Sequence, residues 1–149
     1  MDAAPFDIDR YCGSTFTYRD FFECSESWRQ HEIFNVPQES ETFAAIELLC
    51  HKVLDRVVAQ FGRPTLKHGF CSALLASKID RGIAPKLDQH AGFECNGRGN
   101  RICHRDGFAA DFQLPGTSSL TLGQWIVVNT EFDRLYYYGS DRPLHVSVS

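Results

Sequence analysis

DQHAGFECNGRGNRICHRDGFAADF, residues 88–112, carries two histidines, His90 and His104, and closes on a small-residue run, Gly107-Phe108-Ala109-Ala110, that delivers Asp111 with Phe112 behind it. Residues 107–114 alternate well enough for a β-strand, and Pro115-Gly116 turns the chain after it. A carboxylate set among Phe108, Ala109, Ala110 and Phe112 wants a partner, and a cation supplies one. The missing ligand would come from residues 144–148, LHVSV, where His145 alternates with Leu144, Val146 and Val148 and has a satisfied core histidine as its alternative reading. Two histidines and one carboxylate leave a fourth tetrahedral position open, the donor count of a catalytic rather than a structural zinc site. Asp111, His145 and either His90 or His104 are therefore the candidate metal ligands.

Working outward, residues 37–61 hold the clearest period of the chain. Phe43, Ile46, Cys50, Val53, Val57 and Phe61 recur at three- and four-residue steps, with Leu49 and Leu54 widening the stripe, which predicts a long amphipathic helix. Pro37 marks its start, and Gly62 with Pro64 its end. Before it, residues 1–15 read as an irregular lead-in packed through Phe6 and Tyr11. Residues 16–22 read as a short strand or turn entering a brief helix near 20–24, and Trp28, Ile33 and Phe34 as loop anchors. After it, residues 65–68 predict a short strand, and Ser72 caps a second helix over 73–80 that stops at Gly82. His68, at that junction, reads as a structural hydrogen-bonding residue near the site. Residues 96–101, NGRGNR, have the composition of a solvated flexible loop. Ser118 or Ser119 caps a third helix ending near Asn129, and strands over 134–138 and 144–148 form a hairpin around the turn at 139–143. Helices flanking a small antiparallel sheet make this an α+β chain.

A chain of 149 residues fits one domain, 1–149, and buries roughly 70% of the surface it exposes when unfolded. The 15 basic and 19 acidic residues are mixed along the chain, net −4, so no electrostatic footprint for nucleic acid or an anionic membrane is present. The opening MDAAPFDIDRYC places acids where a secretion signal needs a basic flank and an apolar run. A cytoplasmic, soluble chain is expected. Its six cysteines, Cys12, Cys24, Cys50, Cys71, Cys95 and Cys103, are then expected as free thiols or ligands rather than disulfides. The closest pair, Cys95 and Cys103, is separated by seven residues, which is a weak metal signal.

Several segments, in order, resemble the zinc D-alanyl-D-alanine carboxypeptidase family, peptidase M15, whose fold is shared with the hedgehog signalling domain and several phage endolysins. Phe16-Thr17-Tyr18-Arg19-Asp20-Phe21 resembles the family's entry segment, Asn35-Val36-Pro37 its helix lead-in, and His68-Gly69-Phe70-Cys71-Ser72 its Ser-Gly-Tyr-Arg-Ser turn. Gln89-His90, residues 107–112 and Leu144-His145-Val146-Ser147 resemble its ligand-bearing segments. The family brings its first histidine and its aspartate together as His-x6-Asp. His104 has that spacing to Asp111, whereas His90 has the local Gln-His sequence and makes residues 92–106 an insertion. A longer loop costs only about 0.6 kcal/mol per doubling, so both registers stand, with the lead-in favouring His90.

The resemblance implies a hedgehog-like fold and zinc-dependent hydrolysis of an amide in a short peptide or a peptidoglycan stem, in the cell or released as by a phage lysis system. It also implies a general base shortly before the last histidine and a cation for the oxyanion. The usual base position is Arg142, with Asp141 one step further, so Asp141 is the candidate base and a turn-forming aspartate its alternative; another family pattern puts a Glu where this chain has Tyr138. The family's arginine falls on Cys71, so Arg142, Arg105 or His68 must substitute, or the peptidase reaction is lost and the chain is a metal-binding domain with another role.

Overall fold

The protein, described here as a computed structural model over residues 7–79 and 85–149, is organised by one interrupted helix lying on one sheet. The helix is α3 (Ser40–Leu49), a π-helical turn (Cys50–Leu54) and α4 (Asp55–Phe61). Its apolar stripe is the predicted one: Phe43, Ile46, Leu49, Cys50, Val53, Leu54 and Val57 are all buried. Gly62 stops it with a positive φ of 95°, and donates its N–H to the Val58 carbonyl. The start differs from the prediction. Glu39 is the N-cap residue but makes no cap with its own side chain. The carboxylate of Glu94 does this instead, accepting from Gln38 N (2.8 Å), Glu39 N (3.2 Å) and Thr42 Oγ1 (2.7 Å). An anion from another part of the chain thus gathers the two N–H groups just ahead of the first turn and one hydroxyl within it, at the end of the helix where the dipole favours negative charge.

The sheet has four strands, β1 (Thr65–His68), β2 (Phe108–Gln113), β3 (Arg134–Tyr136) and β4 (Leu144–Val148), in the order β1-β2-β4-β3 and antiparallel throughout. Phe108, Ala110 and Phe112 of β2 with Leu144, Val146 and Val148 of β4 are fully buried on the face covered by α3. The opposite face carries Asp111 and His145, which are Cα partners across β2 and β4. The predicted α+β class with a small antiparallel sheet is what the chain adopts, and the predicted hairpin of the last two strands pairs through Leu135 and Val146.

Short helices surround this frame: α1 (Tyr18–Phe22), α2 (Glu26–His31), α5 (Ala73–Ala76) and α6 (Ser119–Asn129). Thr17 and Asp20 form a reciprocal capping box on α1, and Ser25, Ser72 and Ser118 each accept the backbone N–H three residues on. Helix α2 stands where loop anchors were expected. Ser25 starts it, and Trp28 tethers the chain beyond it by donating Nε1 to the Ile33 carbonyl (2.9 Å). Phe34 and Tyr11, expected as packing anchors, are instead 68% and 64% exposed; a backbone bridge ties Tyr11 to Thr17. The second helix, predicted over 73–80, ends at Ala76 with Ser77 as its C-cap; Phe6 and the predicted stop at Gly82 lie outside the described residues. Residues 92–106, read as an insertion, return on themselves through a bridge between Cys95 and Arg101, with the Asn96 side chain accepting from the N–H groups of Arg98 and Asn100.

Candidate metal centre

Strand register builds most of the site. Asp111 is opposite His145, His145 is opposite Tyr136, and Asp111 is opposite His68 on its other side. One row, His68, Asp111, His145, Tyr136, therefore crosses all four strands. His68 reaches it through a bulge. Leu66 pairs Phe112, so regular pairing would set Lys67 against Asp111, but the register shifts between Leu66 and His68. A bulge of this kind re-aims a side chain, and such bulges are frequent beside functional sites.

His90 comes from outside the sheet, on the 3-10 turn Gln89–Ala91 that packs over β2. Its position is fixed from several sides. Its N–H donates to Asp88 Oδ1 (3.0 Å), its carbonyl accepts from Cys71 N (3.0 Å), and its ring Nδ1 lies 2.7 Å from the Gly69 carbonyl. A carbonyl only accepts, so Nδ1 carries the proton there and Nε2 presents its lone pair to the site when the ring is neutral. Gly69 is itself clamped. A Cβ at this position would lie 2.3 Å from the Phe21 carbonyl oxygen. Asn35, 3% exposed, donates to the Phe22 and Phe70 carbonyls and accepts from Ser72 N.

The three side chains converge. Asp111 Oδ1 lies 2.8 Å from His145 Nδ1 and 3.2 Å from His90 Nε2, and the donor atoms of all three residues lie within 4.8 Å of one another. Their side chains are 12%, 21% and 14% exposed for His90, Asp111 and His145. Burial alone would raise the Asp111 carboxyl, but the charge on His90 and the hydrogen bonds from His145 and His90 overrule it and hold the group well below the usual carboxylate range. Burial likewise pulls His90 down, yet the Asp111 charge and hydrogen bond, with Asp88 and the Gly69 carbonyl, push it up to about 9. Tyr136 stacks on the His145 ring, centroids 5.2 Å apart at 21°, and its hydroxyl is 3.5 Å from an Arg105 nitrogen.

The donor set fits a metal ion. Donors 2.0–2.2 Å from a tetrahedral centre stand about 3.4 Å apart, and the 2.8 and 3.2 Å separations need only a few tenths of an ångström of opening. A buried His, Asp and His group able to hold a metal is thus present. His104 is no part of it: it is exposed, and its N–H is spent on the Lys86 carbonyl. The His-x6-Asp spacing fails because His104 and Asp106 are exposed, and the chain enters the interior only at Gly107, just before β2. Cys95 and Cys103 are free thiols, one exposed and one buried.

A groove of about 490 Å³ opens over the group, lined among others by His68, Cys71, Leu75, Asp88, Tyr138 and Arg142. Burial, and then the Asp88 charge, push the Cys71 thiol up to about 12, so it is neutral there. Burial, then the charge on Asp111, raise the Tyr138 phenol, which stays protonated. Arg142 is exposed at the rim. Asp141, the expected base, does not line this groove: it sits exposed on the turn, faces two neighbouring grooves with Gln113, and uses its carbonyl to accept from Gln113 Nε2. The Gly69 carbonyl, Tyr136 and the bulge at Lys67 carried no sequence signal, since each acts through backbone geometry or strand pairing.

Comparison with protein-family models, with curated proteins and with solved structures finds no match to this chain. Among the described residues no helix is long and apolar enough to cross a membrane.

Proposed function

We propose that the chain is a zinc-dependent hydrolase domain of the M15 and hedgehog-like type that cleaves an amide in a short peptide or peptidoglycan stem. The observation that carries this reading is the convergence of His90 Nε2, Asp111 and His145 Nδ1 at the floor of a groove, with the His90 tautomer set by the Gly69 carbonyl. The order of the matching segments along the chain supports it. An ion held by three protein ligands would supply Lewis acidity and bring the pKa of a water to about 7.

The chain's own residues then have definite tasks. His90, Asp111 and His145 hold the ion, and Gly69 and Asp88 orient His90. Arg142, on the rim, pairs with an anionic group of the substrate, and the protonated Tyr138 donates a hydrogen bond toward a carbonyl oxygen. His68, one strand from Asp111, is the imidazole of the groove that is not a ligand and takes the proton-carrying role that Asp141 is too far round the turn to fill.

A second reading has its own support. Cys71 is a neutral thiol where the family has an arginine, and one lost oxyanion donor typically costs 10²–10³ in rate. A metal-binding domain without peptidase activity follows if Arg142 does not compensate.

Elemental analysis of untagged protein separates these. One zinc per chain, lost in His90→Ala and in His145→Ala but kept in His104→Ala, supports the centre, and cleavage of D-alanyl-D-alanine or L-peptides that falls in Arg142→Ala supports hydrolysis. Bound zinc without cleavage of any peptide selects the second reading. Protein that takes up no metal when zinc is supplied overturns both.

A further inference from the structure

The lead-in segment and the interrupted helix meet at two thiols far from any role in the metal centre. Cys12 is 3% exposed and Cys50 is fully buried. Their sulfur atoms lie 3.6 Å apart although 38 positions separate them in the chain, and Cys12 Sγ also donates to the Phe16 carbonyl (3.2 Å). Among the described residues no other two thiols are in contact.

The approach is built into the surrounding chain. Gly13 has no side chain where one would collide: a Cβ there would lie 2.6 Å from Cys50 Cβ and 2.6 Å from Asp55 Oδ1. Ser14 fastens the same stretch to the helix, donating both its N–H and its hydroxyl to Asp55 Oδ1 at 3.0 Å. Cys50 begins the π-helical turn, where a helix accommodates one extra residue and its side chains are redirected, a feature frequent at functional sites.

We propose that Cys12 and Cys50 are a disulfide-forming pair that takes a small-molecule disulfide as its oxidant. One thiol, as thiolate, attacks a sulfur of the oxidant, forming a protein–small-molecule mixed disulfide and releasing one small thiolate. The second thiolate attacks the protein sulfur of that mixed disulfide, closing the Cys12–Cys50 bond and releasing the second small thiolate. Two electrons pass to the oxidant, and the two protons lost by the cysteines end on the two small thiols. The sulfurs must close from 3.6 Å to about 2.05 Å, a shift of about 1.5 Å shared between two side chains. Contact with Cys12, and then burial, push the Cys50 thiol up, so exchange proceeds while the chain folds or when the lead-in opens locally.

The test is refolding of the full chain from denaturant in a mixture of reduced and oxidised glutathione, where every pairing can be sampled, followed by alkylation and peptide mapping. The expected product joins the peptides of Cys12 and Cys50 and melts about 5–15 °C above the fully reduced chain. Recovery of Cys12 and Cys50 unlinked, whether alkylated or glutathionylated, overturns the proposal. A linked form that melts below the reduced one overturns it equally, because the bond would then distort the native packing.

Discussion

His90 uses both ring nitrogens, and the two uses carry opposite demands. Nδ1 must donate to the Gly69 carbonyl, and Nε2 is protonated beside Asp111 in the metal-free protein but must be bare to bind an ion. With a folded value raised from 6.5 to about 9, His90 contributes stability that is fully present below pH 6.5 and is lost as pH rises through about 9. Asp111, held low, contributes above 3.8 and loses its contribution only as pH falls through its depressed value. An ion must displace the His90 proton, so the apparent zinc affinity should rise about tenfold per pH unit up to about 9 and then level off. Competition titration against a chelator of known affinity measures this, and a flat profile from pH 6 to 8 would remove His90 from the ligand set. Gly69→Ala should weaken zinc binding by about 10–100-fold, because the new Cβ meets the Phe21 carbonyl and displaces the oxygen that orients His90. Equal affinity in a folded Gly69→Ala protein would mean the ring needs no such anchor. At this scale the sequence was informative for Asp111, whose apolar neighbours marked it, and for His145 through the resemblance of its strand to a ligand-bearing segment. It could not choose between His90 and His104, since that choice depends on how residues 92–106 fold back, and one spacing rule pointed the wrong way.

Elements whose stabilising partners are close in sequence were legible, and those with distant partners were not. Serine caps three residues ahead of their bonds gave the start of α6 and α5, and the apolar stripe gave the central helix. The start of α3 was misplaced because its cap, Glu94, comes from more than fifty positions away. Glu94 is 7% exposed and accepts from two backbone N–H groups and one hydroxyl. Its replacement by Ala strands those donors and should cost about 2–4 kcal/mol. Denaturant unfolding with an unchanged m-value would report it; a loss under 0.5 kcal/mol would mean water replaces the carboxylate without penalty. The π-helical turn was equally hidden, since the apolar stripe of a helix passes through an extra residue with little change. Helix α2 was missed because none of its residues is buried, so it shows no periodic face. The bulge before His68 is a property of pairing between β1 and β2 and has no local signature.

For the whole molecule, the site joins the paired strands β2 and β4 to two pieces of chain outside them, the turn at residues 89–91 and the Gly69 corner held by α1. An ion bound there cross-links these parts and should stabilise the fold by mass action. At a free zinc concentration 100 times the dissociation constant the gain is about 2.7 kcal/mol, which for a chain of this size raises Tm by about 5–10 °C. The shift should vanish with excess chelator and in His145→Ala. The fold class was legible because strand and helix periods are local, whereas the strand order was not, since order is set by which edges meet. That order has a consequence in time. Strand β4 is the last of the four to be synthesised, yet it lies between β2 and β3. Until the ribosome has made Leu144–Val148, β2 has a bare edge and β3 has no neighbour, and Asp111 waits without His145. The candidate metal centre therefore cannot form before β4 is made, and a chain interrupted before residue 144 would present an open β2 edge to other chains in place of a binding site.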